Sequence, residues 1–125
     1  MTLSLGQIML YVNDQQTSLQ FWIEKIGFKL IAENDEGDFK WYEVASSEQT
    51  ETTIVLQDKQ TVAKMSPELN LGTPSLMFYT NDIEKLYQTY KNKEITVGEL
   101  VEMPFGKVFN FADNEENYFA VMEKN

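Results

Sequence analysis

The tetrapeptide Tyr11-Val12-Asn13-Asp14 returns as Tyr79-Thr80-Asn81-Asp82 in a chain of 125 residues. Its surroundings keep the same offset. Ile8-Met9 matches Leu76-Met77, Leu19 falls on Tyr87, and Trp22 falls on Tyr90. In both copies an alternating apolar run leads into Asn-Asp and then into a stretch with helical spacing. A supersecondary unit that recurs fixes architecture before any residue has a role. Two copies of one strand–helix–strands module describe a pseudo-symmetric domain whose ligand site lies within or between its halves.

The first strand is expected over residues 7–12. Asn13 or Asp14 then caps a helix reaching about Ile26, because a short side-chain oxygen accepts from the free first-turn N–H groups. Leu19, Trp22, Ile23 and Ile26 share one helical face, and Gly27 ends the helix. Strands follow near residues 28–32, 39–45 and 52–57. Residues 58–72 are polar and without clear periodicity, which reads as a connector. The second copy supplies a strand at 75–80, a helix from Asp82 to about Asn92 and strands near 100–102, 107–112 and 118–123. The order is βαβββ twice, with module one at 5–57, the connector at 58–72 and module two at 73–123. The fold class is α+β, a curved mixed sheet around a cleft with helices outside.

Composition narrows the function classes. Twenty carboxylates against ten lysines give a formal charge of −10, a field that repels nucleic-acid phosphates and anionic membranes. It steers cationic small molecules inward, although a merely solvated acidic surface is the commoner cause of such a charge. No apolar run approaches the roughly 18 residues that span a bilayer, and residues 1–6 lack a basic region and an apolar signal core. A cytoplasmic protein is expected. The chain has no His and no Cys, so imidazole and thiolate nucleophiles are excluded.

The order of motifs resembles the vicinal oxygen chelate superfamily, which contains glyoxalase I, extradiol dioxygenases and the fosfomycin and bleomycin resistance proteins. The carriers are Tyr11-Val12-Asn13-Asp14 leading to Phe21-Trp22 and Ile26-Gly27-Phe28, then Lys40-Trp41-Tyr42-Glu43-Val44-Ala45. Asn81-Asp82-Ile83 and Asp113-Asn114-Glu115-Glu116-Asn117 follow, the last similar to the family's Asp-Pro-Asp-Gly-Asn hairpin without its Pro and Gly. The likeness covers nearly the whole chain and speaks for fold, not substrate. It implies a homodimer. In metal-dependent members, ligands at four cavity-facing positions hold the ion, and these fall on Gln7, Val55, Ser75 and Ala120. Val55 and Ala120 cannot ligate, and a catalytic divalent ion needs about three His, Cys or carboxylate ligands. No metal and no cofactor are therefore expected, and the metal-dependent mechanisms of the family do not transfer.

Strand alternation selects the candidate lining. If Tyr42, Val44, Ile54, Leu56, Leu76, Phe78, Phe119 and Val121 pack beneath helices, the opposite parity faces the cleft. From that parity Gln7, Tyr11, Trp41, Glu43, Gln57, Met77, Tyr79 and Asn110 are the candidate ligand-binding residues, around a cavity bordered by Trp41, Met77 and Asn110. Trp41 and Glu43 point one way on a single strand. A tryptophan face beside a carboxylate suits a flat or cationic ligand, whereas Trp41 packing between modules and Glu43 pairing with a lysine is the structural alternative. Glu43 is also the candidate general base. The acidic run 113–116 lacks the spacing of a calcium loop and reads as a solvated turn. Three function classes stand open. The first is a metal-independent binding protein for a small organic ligand in the cleft, with a cationic ligand favoured by charge. The second is a glyoxalase-like lyase or isomerase lacking the usual metal site. The third is a dimerising scaffold.

Overall fold

The computed structural model describes residues 2–124, and the chain divides between Thr73 and Pro74 into two compact units. The first holds β1 (Gln7–Val12), α1 (Gln15–Gln20) continued by a π-helical segment (Phe21–Ile26), β2 (Lys29–Asn34), β3 (Trp41–Ala45), β4 (Thr53–Asp58) and α2 (Lys59–Met65). The second holds β5 (Met77–Thr80), α3 (Ile83–Asn92), β6 (Val101–Met103), β7 (Gly106–Ala112) and β8 (Tyr118–Glu123). Their sheets run in the orders β1-β4-β3-β2 and β5-β8-β7-β6. In each, the first strand pairs parallel with the last, and the other pairings are antiparallel. Both units are therefore the same βαβββ arrangement, two tandem modules of an α+β fold. Among the described residues no helix is long and apolar enough to cross a membrane.

The Asn-Asp pairs start the two long helices as their chemistry requires. Asp14 accepts from Thr17 N at 3.1 Å and Thr17 Oγ1 at 2.8 Å, and those bonds hold its carboxyl below the usual carboxylate range. Asp82 accepts from Lys85 N at 3.3 Å. Gly27 closes the first helix at φ 91°, its N–H bonded to Trp22 O. That five-residue span is the π-type widening, and the left-handed φ is one that glycine adopts without the Cβ penalty. The four-residue apolar stripe expected on this helix is only partly realised. Trp22 is buried, but its buried neighbour one turn back is Ser18, a small side chain that allows close approach.

Several strand ends shift by one or two residues from the sequence reading, and two departures bear on the module plan. Within the stretch expected to be a connector lies α2, capped by Asp58, which accepts from Thr61 N at 3.2 Å and Thr61 Oγ1 at 2.6 Å. Only Val62 of this helix is buried, so two turns with one apolar anchor leave no periodic signal. Strand β5 begins at Met77, not at Ser75; the first pairing contact is Leu76 O accepting from Ala120 N at 3.0 Å.

The core of the first unit holds Leu10, Val12, Trp22, Tyr42, Val44, Ile54 and Leu56, all buried. Gln16 Nε2 bonds Tyr42 Oη at 2.8 Å, and Gln15 Nε2 bonds the carbonyls of Lys40 and Leu56, which marks this parity as the helix side. The second unit is packed with rings. Tyr90 meets Phe109 and Phe111 edge-on at 5.9 and 5.5 Å, and Phe111 lies 5.8 Å from Phe119. Each such pair contributes about 0.5–1.5 kcal/mol beyond the area it buries.

Candidate functional site

With the core parity fixed, the alternate residues of the first sheet face away from α1. The register aligns them in rows across the strands. Tyr11 lies beside Gln57, Gln57 beside Trp41, and Trp41 beside Asn34. The next row is Met9, Val55, Glu43 and Ala32. Strands lie about 4.8 Å apart, so Tyr11 and Trp41 flank Gln57 with their backbones about 10 Å from each other. Tyr11, Trp41, Glu43 and Gln57 are half-buried and Gln7 is exposed. The structure therefore brings Tyr11, Trp41, Glu43 and Gln57 into one patch, with Gln7 at its far end.

Two hydrogen bonds order that patch. Thr53 Oγ1 donates to Glu43 Oε2 at 2.6 Å, and Gln57 Nε2 approaches Met9 Sδ at 3.1 Å. Thr53 is buried and shares the parity of Val55 and Gln57. It is a site residue that the sequence reading missed, although its position two before Val55 on the same strand was the available signal. Its bond, of charge-assisted length, holds one of the two carboxylate oxygens. Among the described residues no lysine forms an ion pair with Glu43, whose hydrogen-bond partner is Thr53.

The second sheet presents its own alternate face. Tyr79, Met122, Val108 and Val101 form one row, and Met77, Ala120 and Asn110 the next. Met77 is 46% exposed and Tyr79 59%, and Asn110 is exposed. Lys124, one parity step beyond Met122, sets its Nζ 4.7 Å from the centre of the Tyr79 ring; this contact too went unread in the sequence. The acidic turn is structural: Asp113 is buried and accepts from Glu115 N, Asn117 N and Asn117 Nδ2 at 2.8–3.0 Å.

The four positions that correspond to metal ligands in metal-dependent relatives do not fit a divalent ion. Val55, buried between Met9 and Glu43 in the ladder, and Ala120 end in hydrocarbon; Gln7 and Ser75 offer one amide and one hydroxyl. Among the described residues no group of three or more Asp or Glu is placed to hold an ion.

Comparison with known proteins places this architecture. Residues 4–121 match the sequence profile of the Glyoxalase/Bleomycin resistance protein/Dioxygenase superfamily. The chain is 33% identical over 121 residues to the uncharacterised protein YetH of Bacillus subtilis (strain 168), covering 95% of this chain and 97% of that one. Among solved structures, TnmS3, an antibiotic binding protein from Streptomyces sp. CB03234, superposes with a TM-score of 0.83 at 23% identity, covering 100% of this chain and 99% of that one. A superfamily member from Sphaerobacter thermophilus DSM 20745 superposes with a TM-score of 0.80 at 21% identity, covering 98% of each chain. At such identities the two structures speak for the fold alone. The profile spans nearly the whole chain and coincides with the duplicated βαβββ units, and the protein belongs to the glyoxalase/bleomycin resistance protein/dioxygenase superfamily.

Proposed function

We propose that the protein binds a small organic molecule without a metal ion, on the faces of its sheets that point away from the helices. The observation that carries this reading is the patch of Tyr11, Gln57 and Trp41 beside a Glu43 carboxylate that Thr53 holds in place. Flat aromatic surfaces around a few fixed polar groups are the usual composition of a ligand site. Glu43 favours a cationic or hydrogen-bond-donating group on the ligand, in line with a formal charge of −10. Metal independence is supported by the hydrocarbon side chains of Val55 and Ala120, and a binding role by the likeness to a protein described as antibiotic binding.

A titration with planar aromatic probes tests the reading: 1-methylquinolinium, its neutral isostere 1-methylnaphthalene, and 2-naphthoate, each followed by isothermal titration calorimetry. The expected result is saturable binding that EDTA leaves unchanged. Trp41→Ala should weaken it about tenfold, the scale of one stacked aromatic contact. Glu43→Gln should weaken only the quinolinium, by about fivefold. Absence of saturation with every probe, or binding abolished by EDTA, refutes the proposal. An enzyme using Glu43 as base would instead lose turnover in Glu43→Gln while affinity held.

A further inference from the structure

Lys124 follows β8 at the position that Lys59, the first residue of α2, takes after β4 in the first unit. The face of the second sheet that points away from α3 combines apolar and aromatic side chains with the amide of Asn110, and Met77, Tyr79 and Tyr118 are each 46–59% exposed. None of the twenty carboxylates of the chain lies on this face of the four strands. Glu102 and Glu123 fall on the opposite parity, where Glu102 registers with Lys107, and Glu123 Oε2 accepts from Ile83 N at 3.2 Å. Lys107 is likewise on the other side, bonded to Glu84 at 3.1 Å. Among the described residues of these strands and of the one-residue extension of β8, Lys124 is the charge on this parity. Its backbone is fixed, because Lys124 N donates to Thr80 O at 2.7 Å and so extends the β5–β8 ladder by one residue. Its ammonium rests against the Tyr79 ring.

We propose that Tyr79 and Lys124 together are a charge-selective aromatic site, one that accepts a planar aromatic molecule bearing an ionised acidic group and rejects a cationic one. An ammonium against a tyrosine ring satisfies the attraction of that ring for cations, so a second cation meets both an occupied ring and like-charge repulsion. A planar anion finds the remaining ring surface for stacking and the Nζ for an ion pair. The preference runs against the net charge of the molecule. It is thus a local property of Lys124 and not of the overall field, whose reach is limited by screening to about 8–10 Å. This inference deepens the small-molecule binding proposed above and rests on it, with Glu43 and Lys124 selecting opposite charges on their separate sheets.

Labelling the methionine methyl groups with carbon-13 separates the two surfaces, since Met9 reports the first sheet and Met77 and Met122 the second. The probes are 2-naphthoate, neutral 2-naphthamide and cationic 2-naphthylmethylammonium. We expect 2-naphthoate to shift Met77 and Met122 with about fivefold tighter binding than 2-naphthamide, the scale of one exposed charge pair. The ammonium probe should be weakest at those methyls. Lys124→Met should erase the order, Lys124→Glu should invert it, and Tyr79→Leu should weaken all three probes alike. Lys124 is exposed, so these variants leave the core untouched. If Lys124→Met keeps the wild-type order at Met77 and Met122, the inference is overturned. It is overturned also if the probes shift Met9 alone, a result that leaves the proposed function standing. Shifts at no methionine overturn both.

Discussion

Replacing Thr53 with Val tests whether the Glu43 carboxylate is held as the geometry describes. The change is nearly isosteric, and Thr53 is buried, so it removes a hydroxyl without opening a cavity. What is lost is the 2.6 Å bond to Glu43 Oε2. A hydrogen bond to an ionised acceptor contributes roughly 1.5–3 kcal/mol. Glu43 is only half-buried, so water takes up part of the vacated lone pair, and a loss of about 1–2 kcal/mol is expected. With a urea slope of about 1.5 kcal/mol per molar, the unfolding midpoint should fall by roughly 1 M. A double-mutant cycle with Glu43→Ala isolates the pair and should return a coupling of about 1 kcal/mol. The same Thr53→Val variant should bind 1-methylquinolinium a few-fold more weakly and 1-methylnaphthalene unchanged. Should the two substitutions add to within about 0.3 kcal/mol, the bond contributes nothing in solution, and the claim that Thr53 positions Glu43 is wrong.

Two further outcomes follow from the second unit. Burial pushes the Tyr90 hydroxyl up to about 12 from its ordinary value near 10. A group whose folded pKa is raised contributes fully below its unfolded value, and that contribution is lost as pH climbs through the interval. Stability should therefore decline by up to roughly 3 kcal/mol between pH 10 and 12, measured by denaturant midpoints; Tyr90→Phe should remove this component, and an unaltered decline in the variant would refute the assignment. Phe111 touches the rings of Phe78, Tyr90 and Phe119, and Phe111→Ala should cost about 3–5 kcal/mol while Tyr79→Ala, at an exposed ring, changes stability by no more than about 0.5 kcal/mol. Equal costs for the two would contradict the placement of the core.

Most of the fold could be read before the structure was seen, because its determinants are local and repeated. Asp14 and Asp82 cap helices through bonds to residues three positions on, Gly27 supplies the left-handed turn, and β8 begins and ends where alternation placed it. The stretches that escaped detection have weak local determinants. The helix α2 buries one side chain, and no apolar spacing in the sequence marks the π-helical segment. Parity also named a face but could not give burial. Val55 shares the parity of Gln57 yet is 3% exposed, because it sits on a central strand between Met9 and Glu43.

The duplication itself shows where the specific chemistry resides. Pairing registers set corresponding positions of the two sheets side by side: Tyr11 answers to Tyr79, Gln57 to Met122, Val55 to Ala120, Glu43 to Asn110 and Trp41 to Val108. The core positions Leu10, Tyr42, Val44, Ile54 and Leu56 answer to the apolar Phe78, Phe109, Phe111, Phe119 and Val121, whereas Val12 answers to Thr80. On the open faces the tyrosine and the methionine two residues before it are common to both, Tyr11 and Met9 answering to Tyr79 and Met77. A ring 59% exposed, as at Tyr79, contributes little to a core, so packing does not account for its presence there. Its neighbours have diverged from a carboxylate and an indole on one sheet to an amide, aliphatic side chains and an ammonium on the other. A change of chemical class at these open-face positions, beside changes of one apolar residue for another in the core, is what the two charge preferences proposed above require. Exchanging the charges, with Glu43→Lys on one sheet and Lys124→Glu on the other, should therefore exchange the probe preferences reported at Met9 and at Met77 while both units remain folded; if the preferences stay where they were, the open-face charges do not set selectivity.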